Sequence, residues 1–244
     1  MMFEARRLKH GSIPLSQDEL HYLVQVMRIG RRGLEAMVEG VGLFFAQLDG
    51  DGTSLRIGRE LESQPCFRLA ITLAPALIKH DLLSQVIEKG TEVGIARFQP
   101  WVAERSVVRE AGANKLQRWR RIAKEASEQC RRADIPDILP LAAGLEDLGR
   151  DEGEAGVLWD PDGEPLEHWW AAAGTLQRVK TVVGPEGGIS EQERTVLHQQ
   201  GFCSVRLGPQ TFRAENAGIF GALLLLWLTG DLTKPSANLP LACP

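Results

Sequence analysis

The sequence predicts an α/β protein, in which a small β-rich domain precedes a larger domain with a mostly parallel sheet. Two observations predict it: short strand-like segments before residue 66, and strands that alternate with helical patterns after it. With 244 residues, 43% apolar and 25% charged, the chain has the composition of a folded protein of one or two domains. We place the domains at residues 1–66 and 67–230, followed by a C-terminal tail over 231–244.

The first segment contains one predicted helix and three predicted strands. Ser16 and Glu19 form a capping box at the start of a helix over residues 17–29. The strands cover residues 34–39, 42–48 and 53–61, with the turn signal DGDG between the last two. Sequential short strands joined by turns predict a compact barrel.

The second segment has the rhythm of βαβ units. Strands are predicted over 67–74, 95–102, 156–159, 179–183 and 203–207, and helices over 81–93, 115–132, 165–173, 190–200 and 213–229. This alternation predicts a parallel sheet. The last helix holds the longest apolar run, 217–228, which is too short to span a bilayer and is expected to be buried in the core or against a second subunit.

Charge and cysteine content narrow the class of function. The net charge of −4 gives no general indication of nucleic-acid binding, yet residues 97–132 carry ten basic and four acidic side chains. Such a segment fits either RNA binding or a solvated helix face. The four cysteines form no C-x-x-C pair and favour reduced thiols in the cytoplasm, and no histidine spacing indicates a metal site.

Two glycine-containing loops each join a predicted strand to a predicted helix. They are VVGPEGGIS over 182–190 and RLGPQTFRAENA over 206–217. Ligands of parallel α/β sheets bind at the carboxyl ends of the strands, and glycine lets the backbone approach them closely. A plain tight turn is the alternative, and neither phosphate-binding glycine motif is present.

Two charged residues lie near the start of the last helix. Glu215 is favourable there through the helix dipole, which makes a structural role credible. Arg213 is less favourable at that position, which favours an anionic ligand or an acidic partner.

Six segments, in this order and spacing, carry a resemblance to a known family. They are HYLVQVMRIGRRG (21–33), IEKGTEVG (87–94), QPWVAERSVV (99–108), EASEQCRRADIPDI (125–138), VGPEGGISEQE (183–193) and RLGPQTFRAENA (206–217). Together they resemble the small-subunit (16S) rRNA uridine N3-methyltransferase family, of the trefoil-knotted SPOUT class. Phe212 and Asn216 depart from it, because the family often has Leu and Thr there.

The resemblance implies a fold, a cofactor and partners. The fold is a PUA-like barrel for RNA docking followed by a trefoil-knotted α/β domain that forms a homodimer. The cofactor is S-adenosylmethionine, and the substrate is a uridine in 16S rRNA or in the assembled small ribosomal subunit. Neither a metal nor a membrane is implied.

The resemblance also assigns residues. Cofactor binding falls on Gly184, Pro185, Glu186, Gly187 and Gly188 in the first loop, and on Leu207, Gly208, Phe212, Arg213 and Ala217 in the second. The RNA-facing side receives Arg6, Arg7, Arg28, Arg31 and Arg32, and Arg105, Arg131 and Arg132 are further candidates for phosphate contacts. We expect Arg213 to stabilise the uridine anion and Glu186 or Glu215 to handle the N3 proton.

Three other functions remain open at the level of sequence. The first is methylation of another RNA base or of tRNA by the same class of enzyme. The second is RNA binding without catalysis, with both glycine loops acting as turns. The third is an α/β enzyme for a small phosphorylated metabolite, which would use helix N-termini as anion sites.

Overall fold

A computed structural model of the chain describes residues 1–30, 32–61, 67–79 and 81–232. By its internal contacts the chain divides into two compact units. The smaller unit comprises the described residues of Met1–Cys66 together with Ser127–Ile135. The larger unit comprises the described residues of Phe67–Ala126 and Pro136–Pro235.

The smaller unit is built on a five-stranded sheet. Its strands are β1 (Met2–Phe3), β2 (Ser12–Pro14), β3 (Leu34–Val38), β4 (Gly42–Leu48) and β5 (Ser54–Leu61). Their order is β1-β3-β4-β5-β2, and all neighbours are antiparallel except β1 and β3. The strands predicted over 34–39, 42–48 and 53–61 are confirmed as β3, β4 and β5. The core of this unit contains the buried side chains of Phe3, Ile13 and Leu55.

One short helix begins at the predicted capping box. The Ser16 hydroxyl accepts from the Glu19 backbone N–H at 3.2 Å, and α1 (Gln17–His21) follows. The predicted helix over 17–29 is wrong in its second half, because a π-helical turn occupies Tyr22–Val26. The wider turn lets Leu23 and Ile29, six residues apart, both reach the core, and the Ile29 N–H donates to the Leu23 carbonyl at 3.2 Å.

The larger unit contains a six-stranded sheet covered by helices. Its strands are β6 (Ala70–Pro75), β7 (Arg97–Phe98), β8 (Asp137–Ile138), β9 (Ala155–Pro165), β10 (Arg178–Val183) and β11 (Phe202–Arg206). Its helices are α2 (Leu82–Val93), α3 (Ala113–Cys130), α4 (Leu166–Ala173), α5 (Glu191–Gln199) and α6 (Ala214–Leu228), and the end of α3 groups with the smaller unit. The strand order is β11-β9-β10-β6-β7-β8, and every pair is parallel, which confirms the α/β prediction. The trefoil knot and the PUA-like assignment stay predictions.

Two strands differ in length from their prediction. The strand predicted over 95–102 is reduced to β7, because Pro100 has no N–H to continue the ladder and pairing resumes only as a bridge at Trp101. The strand predicted over 156–159 continues to Pro165 as β9. Its extension forms part of the cavity described below.

Helix α6 lies against the sheet because two of its residues are glycines. A Cβ at Gly218 would come within 2.6 Å of the Leu73 side chain, and one at Gly221 would come within 2.3 Å of the Trp159 ring. Both distances are shorter than real Cβ contacts, so larger residues would push α6 off the sheet. The close packing places the first turn of α6 beside the carboxyl ends of β10 and β11.

Among the described residues, no helix has the length and apolar character needed to cross a membrane.

Candidate functional site

A cavity of about 660 Å³ lies at the carboxyl-terminal edge of the parallel sheet. Three loops form its wall together with the first turn of α6: one after β10, one after β11, and one within β9. Open parallel sheets bind ligands at this edge. The two glycine-containing loops that the sequence singled out therefore meet at one site.

The loop after β10 is held in a defined conformation. The Trp101 indole N–H donates to the Val183 carbonyl at 3.2 Å, which fixes the end of the strand. The Gly188 N–H then donates to the Pro185 carbonyl at 2.9 Å, and Gly188 has a φ of 74°, a left-handed conformation that favours glycine. The predicted residues that line the cavity from this loop are Gly184, Pro185, Glu186 and Gly188.

Glu186 and Gly187 have fixed partners outside the loop. The Glu186 carboxylate accepts from the Lys79 backbone N–H at 3.0 Å. Gly187 does not line the cavity, and its carbonyl accepts from the Arg105 guanidinium at 3.0 Å. Arg105, predicted for RNA contact, thus supports the back of this loop.

The loop after β11 brings the second predicted set to the same cavity. Leu207, Gly208, Phe212, Arg213 and Ala217 all line it. The Arg213 side chain is 84% exposed and its guanidinium lies 3.9 Å from the Glu215 carboxylate, which is only 17% exposed. The start of α6 therefore presents an exposed cation and a shielded carboxylate side by side, and the helix dipole favours the carboxylate.

The third loop was missed by the sequence analysis. The pairing of β9 with β11 shifts register between Ser204, opposite Leu158, and Val205, opposite Glu164. Five residues of β9, 159–163, therefore bulge out of the ladder, and a Cβ at Gly163 would lie 2.4 Å from the Ser204 backbone. The signal was present, because Asp-Pro-Asp-Gly is a turn sequence that follows directly on an apolar strand.

Asp160 holds this bulge in place. The side chain is buried, and its carboxylate accepts from the Arg194 guanidinium at 2.8 Å, the Ser204 hydroxyl at 3.2 Å and the Asp162 backbone N–H at 3.1 Å. Burial disfavours the charged form of Arg194 and so lowers the pKa of its guanidinium. The carboxylates of Asp160 and Glu191 outweigh this effect, and the pKa is raised overall. The wall formed by β9 is thus tied to α5 and β11 through one paired carboxylate.

One buried polar atom in the wall has no partner. Trp159 is only 6% exposed and lines the cavity, and its indole N–H makes no hydrogen bond within the described residues. A buried donor of this kind is costly unless an acceptor satisfies it. The Nε1 atom lies against Gly221 of α6, so this donor is not presented to the cavity.

Four of the arginines predicted for RNA contact are paired with carboxylates. In the smaller unit these pairs are Arg6 with Glu4, Arg7 with Glu19, Arg131 with Glu35 and Arg132 with Asp134. Arg132 is also buried, with 6% of its surface exposed. The structure therefore gives these side chains local structural partners.

Two other predicted arginines differ from that group. Arg28 and Arg32 are exposed, and neither forms an ion pair with any described residue. Arg31 lies outside the described residues.

The described residues contain no group of three His, Cys, Asp or Glu side chains that could hold a metal ion.

Comparison with known proteins establishes the family. A sequence profile of the RNA methyltransferase domain matches residues 65–226. A ribosomal RNA small subunit methyltransferase E from Synechocystis is 32% identical over 214 residues, covering 85% of this chain and 70% of that protein. The protein of the same name from Mycobacterium tuberculosis is 34% identical over 229 residues, covering 86% of both chains.

Solved structures agree over nearly the whole chain. A ribosomal RNA small subunit methyltransferase E from Neisseria gonorrhoeae, bound to S-adenosyl methionine, is 25% identical with a TM-score of 0.78, covering 95% of this chain and 97% of that one. A Legionella pneumophila protein solved with the cofactor SAM is 25% identical with a TM-score of 0.76, covering 93% of this chain and 97% of that one. The chain belongs to the RNA methyltransferase family. Within that family, the relatives that match most of its length are the ribosomal RNA small subunit methyltransferases E.

Proposed function

We propose that this protein transfers a methyl group from S-adenosylmethionine to N3 of a uridine in 16S rRNA, in the cytoplasm. The observation that carries the proposal is the cavity that joins the GPEGG loop to the LGPQTFRAE loop. It lies in a chain of the RNA methyltransferase family, and the relatives named above carry this cofactor or are named for this RNA.

The residues around the cavity fit the chemical parts of the cofactor. S-Adenosylmethionine combines a flat base, a cationic sulfonium and a carboxylate, and when bound it supplies an electrophilic methyl group. The walls offer apolar surface from Leu207 and Phe212 and backbone from Gly184 and Gly208.

The reaction requires that uridine N3 lose its proton as the new bond to carbon forms. Arg213 is largely exposed and can turn its guanidinium toward the uracil, where a positive charge would stabilise the anion that forms when N3 loses its proton. Glu215, which lines the cavity beside it, would accept the proton, and Glu186, which also lines the cavity, is the alternative acceptor. Because N3 lies on the Watson–Crick edge, the target uridine must be unpaired or turned out of its stack.

One face of α6 supports a homodimer. Phe220, Leu223 and Trp227 lie at helical spacing and are 40%, 41% and 58% exposed, whereas Leu225 and Leu226 on the other side are fully buried. A large exposed apolar stripe on a helix is typical of a contact surface. We propose that a second copy of this chain covers it.

Two measurements on the purified protein test the proposed function. We expect calorimetry to give saturable binding of S-adenosylmethionine. We then expect transfer of labelled methyl to 16S rRNA or to small subunits from cells that lack this activity, with N3-methyluridine detected by mass spectrometry of nucleosides. Failure of the folded protein to bind the cofactor would favour an RNA-binding protein without catalysis, and methylation of tRNA alone would show a different substrate.

A further inference from the structure

The β9 bulge, residues 159–163, forms one wall of the cavity without support from the sheet ladder. The pairing of β9 with β10 ends at Leu158, and its pairing with β11 stops there and resumes only at Glu164. Four of the five residues of the bulge line the cavity. The conformation of this wall therefore depends on the side chains that hold it.

Asp160 holds the first half of the bulge. Its side chain is 6% exposed, and its carboxylate accepts from the Arg194 Nε at 2.8 Å and from the Ser204 hydroxyl at 3.2 Å. An ionised carboxylate only accepts, so this bond uses the single proton of the hydroxyl. His198, whose Nε2 lies 2.9 Å from the same hydroxyl oxygen, must therefore donate to it. Donors from α5 and β11 thus converge on one buried charge.

The second half of the bulge is held from β11. The Arg206 guanidinium donates to the Gly163 carbonyl at 3.0 Å. The backbone of Gly163 also approaches that of Ser204 so closely that a Cβ would not fit between them. Arg194 is itself held by an ion pair with Glu191, three residues before it on α5. The bulge is therefore fixed at both ends by side chains of α5 and β11.

We propose that Asp160 is a positioning residue for the cofactor, which acts by holding the β9 bulge against Arg194. A wall that is already in place needs no ordering when the ligand binds, so the pair raises affinity without contact with the reacting atoms. Loss of the Asp160 charge leaves the Arg194 side chain, which is only 23% exposed, without its buried partner. The inference rests on the proposed function and adds a residue outside both glycine-containing loops.

The test uses the full-length protein and two readouts. They are calorimetric titration with S-adenosylmethionine, and hydrogen–deuterium exchange of the segment 157–165 measured without cofactor. Asp160→Asn keeps the shape of the side chain and removes its charge. We expect it to raise the Kd for the cofactor by about tenfold, the value of one hydrogen bond to a charged group, and to speed exchange in the bulge. Turnover at saturating cofactor should change by less than about twofold.

Arg194→Gln supplies the rescue. The amide nitrogen of glutamine is as many bonds from Cα as the arginine Nε that bonds Asp160, so the substitution keeps a donor there and removes the charge. In the double variant Asp160→Asn/Arg194→Gln, an amide oxygen meets an amide nitrogen and no guanidinium is left without its partner. We expect the double variant to bind the cofactor about threefold or more tightly than Asp160→Asn alone.

Glu154→Gln is the matched control. Glu154 is also a buried carboxylate, directly before β9, and it lies 3.7 Å from the Arg97 guanidinium and accepts from the Asp151 backbone N–H at 3.1 Å. It does not line the cavity. We expect Glu154→Gln and Asp160→Asn both to lower the melting temperature. Only Asp160→Asn should change the Kd for the cofactor and the exchange of the bulge.

Two results would overturn the inference: equal exchange of the bulge in Asp160→Asn and the original protein, or an equal rise of the Kd in Asp160→Asn and Glu154→Gln. If the original protein binds the cofactor and transfers methyl, and Asp160→Asn matches it in both readouts, the positioning role fails while the proposed function stands. If the original protein binds no cofactor, the first titration shows that the proposed function fails, and the role of Asp160 toward the cofactor fails with it.

Discussion

Arg213 lies at the start of α6 with most of its side chain in solvent, so its truncation removes a charge and little packing. We expect Arg213→Ala to lower the turnover number by about 10²- to 10³-fold, because one donor that stabilises an anionic transition state contributes on that scale. The dissociation constant for S-adenosylmethionine should change far less. Steady-state kinetics and calorimetry measure the two quantities separately.

The charge-conserving variant is the control for this prediction. Arg213→Lys keeps a cation near the reacting base and should recover part of the lost turnover. If Arg213→Ala instead weakened cofactor binding and left turnover unchanged, Arg213 would be a binding residue rather than a catalytic one.

At the scale of elements, periodicity and turn chemistry predicted most helices and strands, because each of these segments presents a simple apolar pattern to one core. The capping box predicted at Ser16 fixed one helix start and is present, and a second capping box at Ser190 begins α5. The π-helical turn and the bulge in β9 could not be predicted in the same way. Each depends on a distant partner: the core that receives Leu23, and the Arg194 guanidinium that pairs with Asp160.

The same reasoning explains which parts of the site could be predicted from the sequence. The two glycine-containing loops were identifiable because each follows an apolar strand and precedes a helix. The pairing of Arg7 with Glu19 and the burial of Arg132 were not, because a sequence shows that a residue is basic but not which carboxylate lies beside it. The structure shows which of the residues expected to bind the cofactor line the cavity. The roles of these residues in binding and catalysis stay predictions.

Helix α1 carries an ion pair whose pH dependence can be measured. The hydrogen bonds from Arg7 lower the pKa of Glu19 from 4.5 to about 2. The folded protein thus binds this proton less readily than the unfolded chain, so the stabilisation is complete above pH 4.5 and is lost as the pH falls toward 2. Glu19→Gln keeps a residue that completes a capping box but removes the charge.

We expect Glu19→Gln to lower the free energy of unfolding at pH 6 by about 1–3 kcal/mol, the contribution of a charge-assisted hydrogen bond. Its stability should also fall less steeply than that of the original protein between pH 4.5 and the acid limit. Chemical unfolding at several pH values measures both. Parallel curves for the two proteins would contradict the role of this ion pair.

At the scale of the whole molecule, helix α6 contributes to both the cavity and the apolar stripe. Its first turn lines the cavity, and its later turns expose Phe220, Leu223 and Trp227. We expect the original protein to be a dimer by light scattering, and Trp227→Glu to be monomeric at the same concentration. A charge buried at the centre of an apolar interface weakens association by about 100-fold or more, since removing it from water costs several kcal/mol. Val107→Glu is the control, because Val107 is 66% exposed and lies outside the stripe. If Trp227→Glu remained a dimer, a different surface would join the two copies. If the original protein were itself a monomer, the apolar stripe on α6 would be exposed in the active molecule.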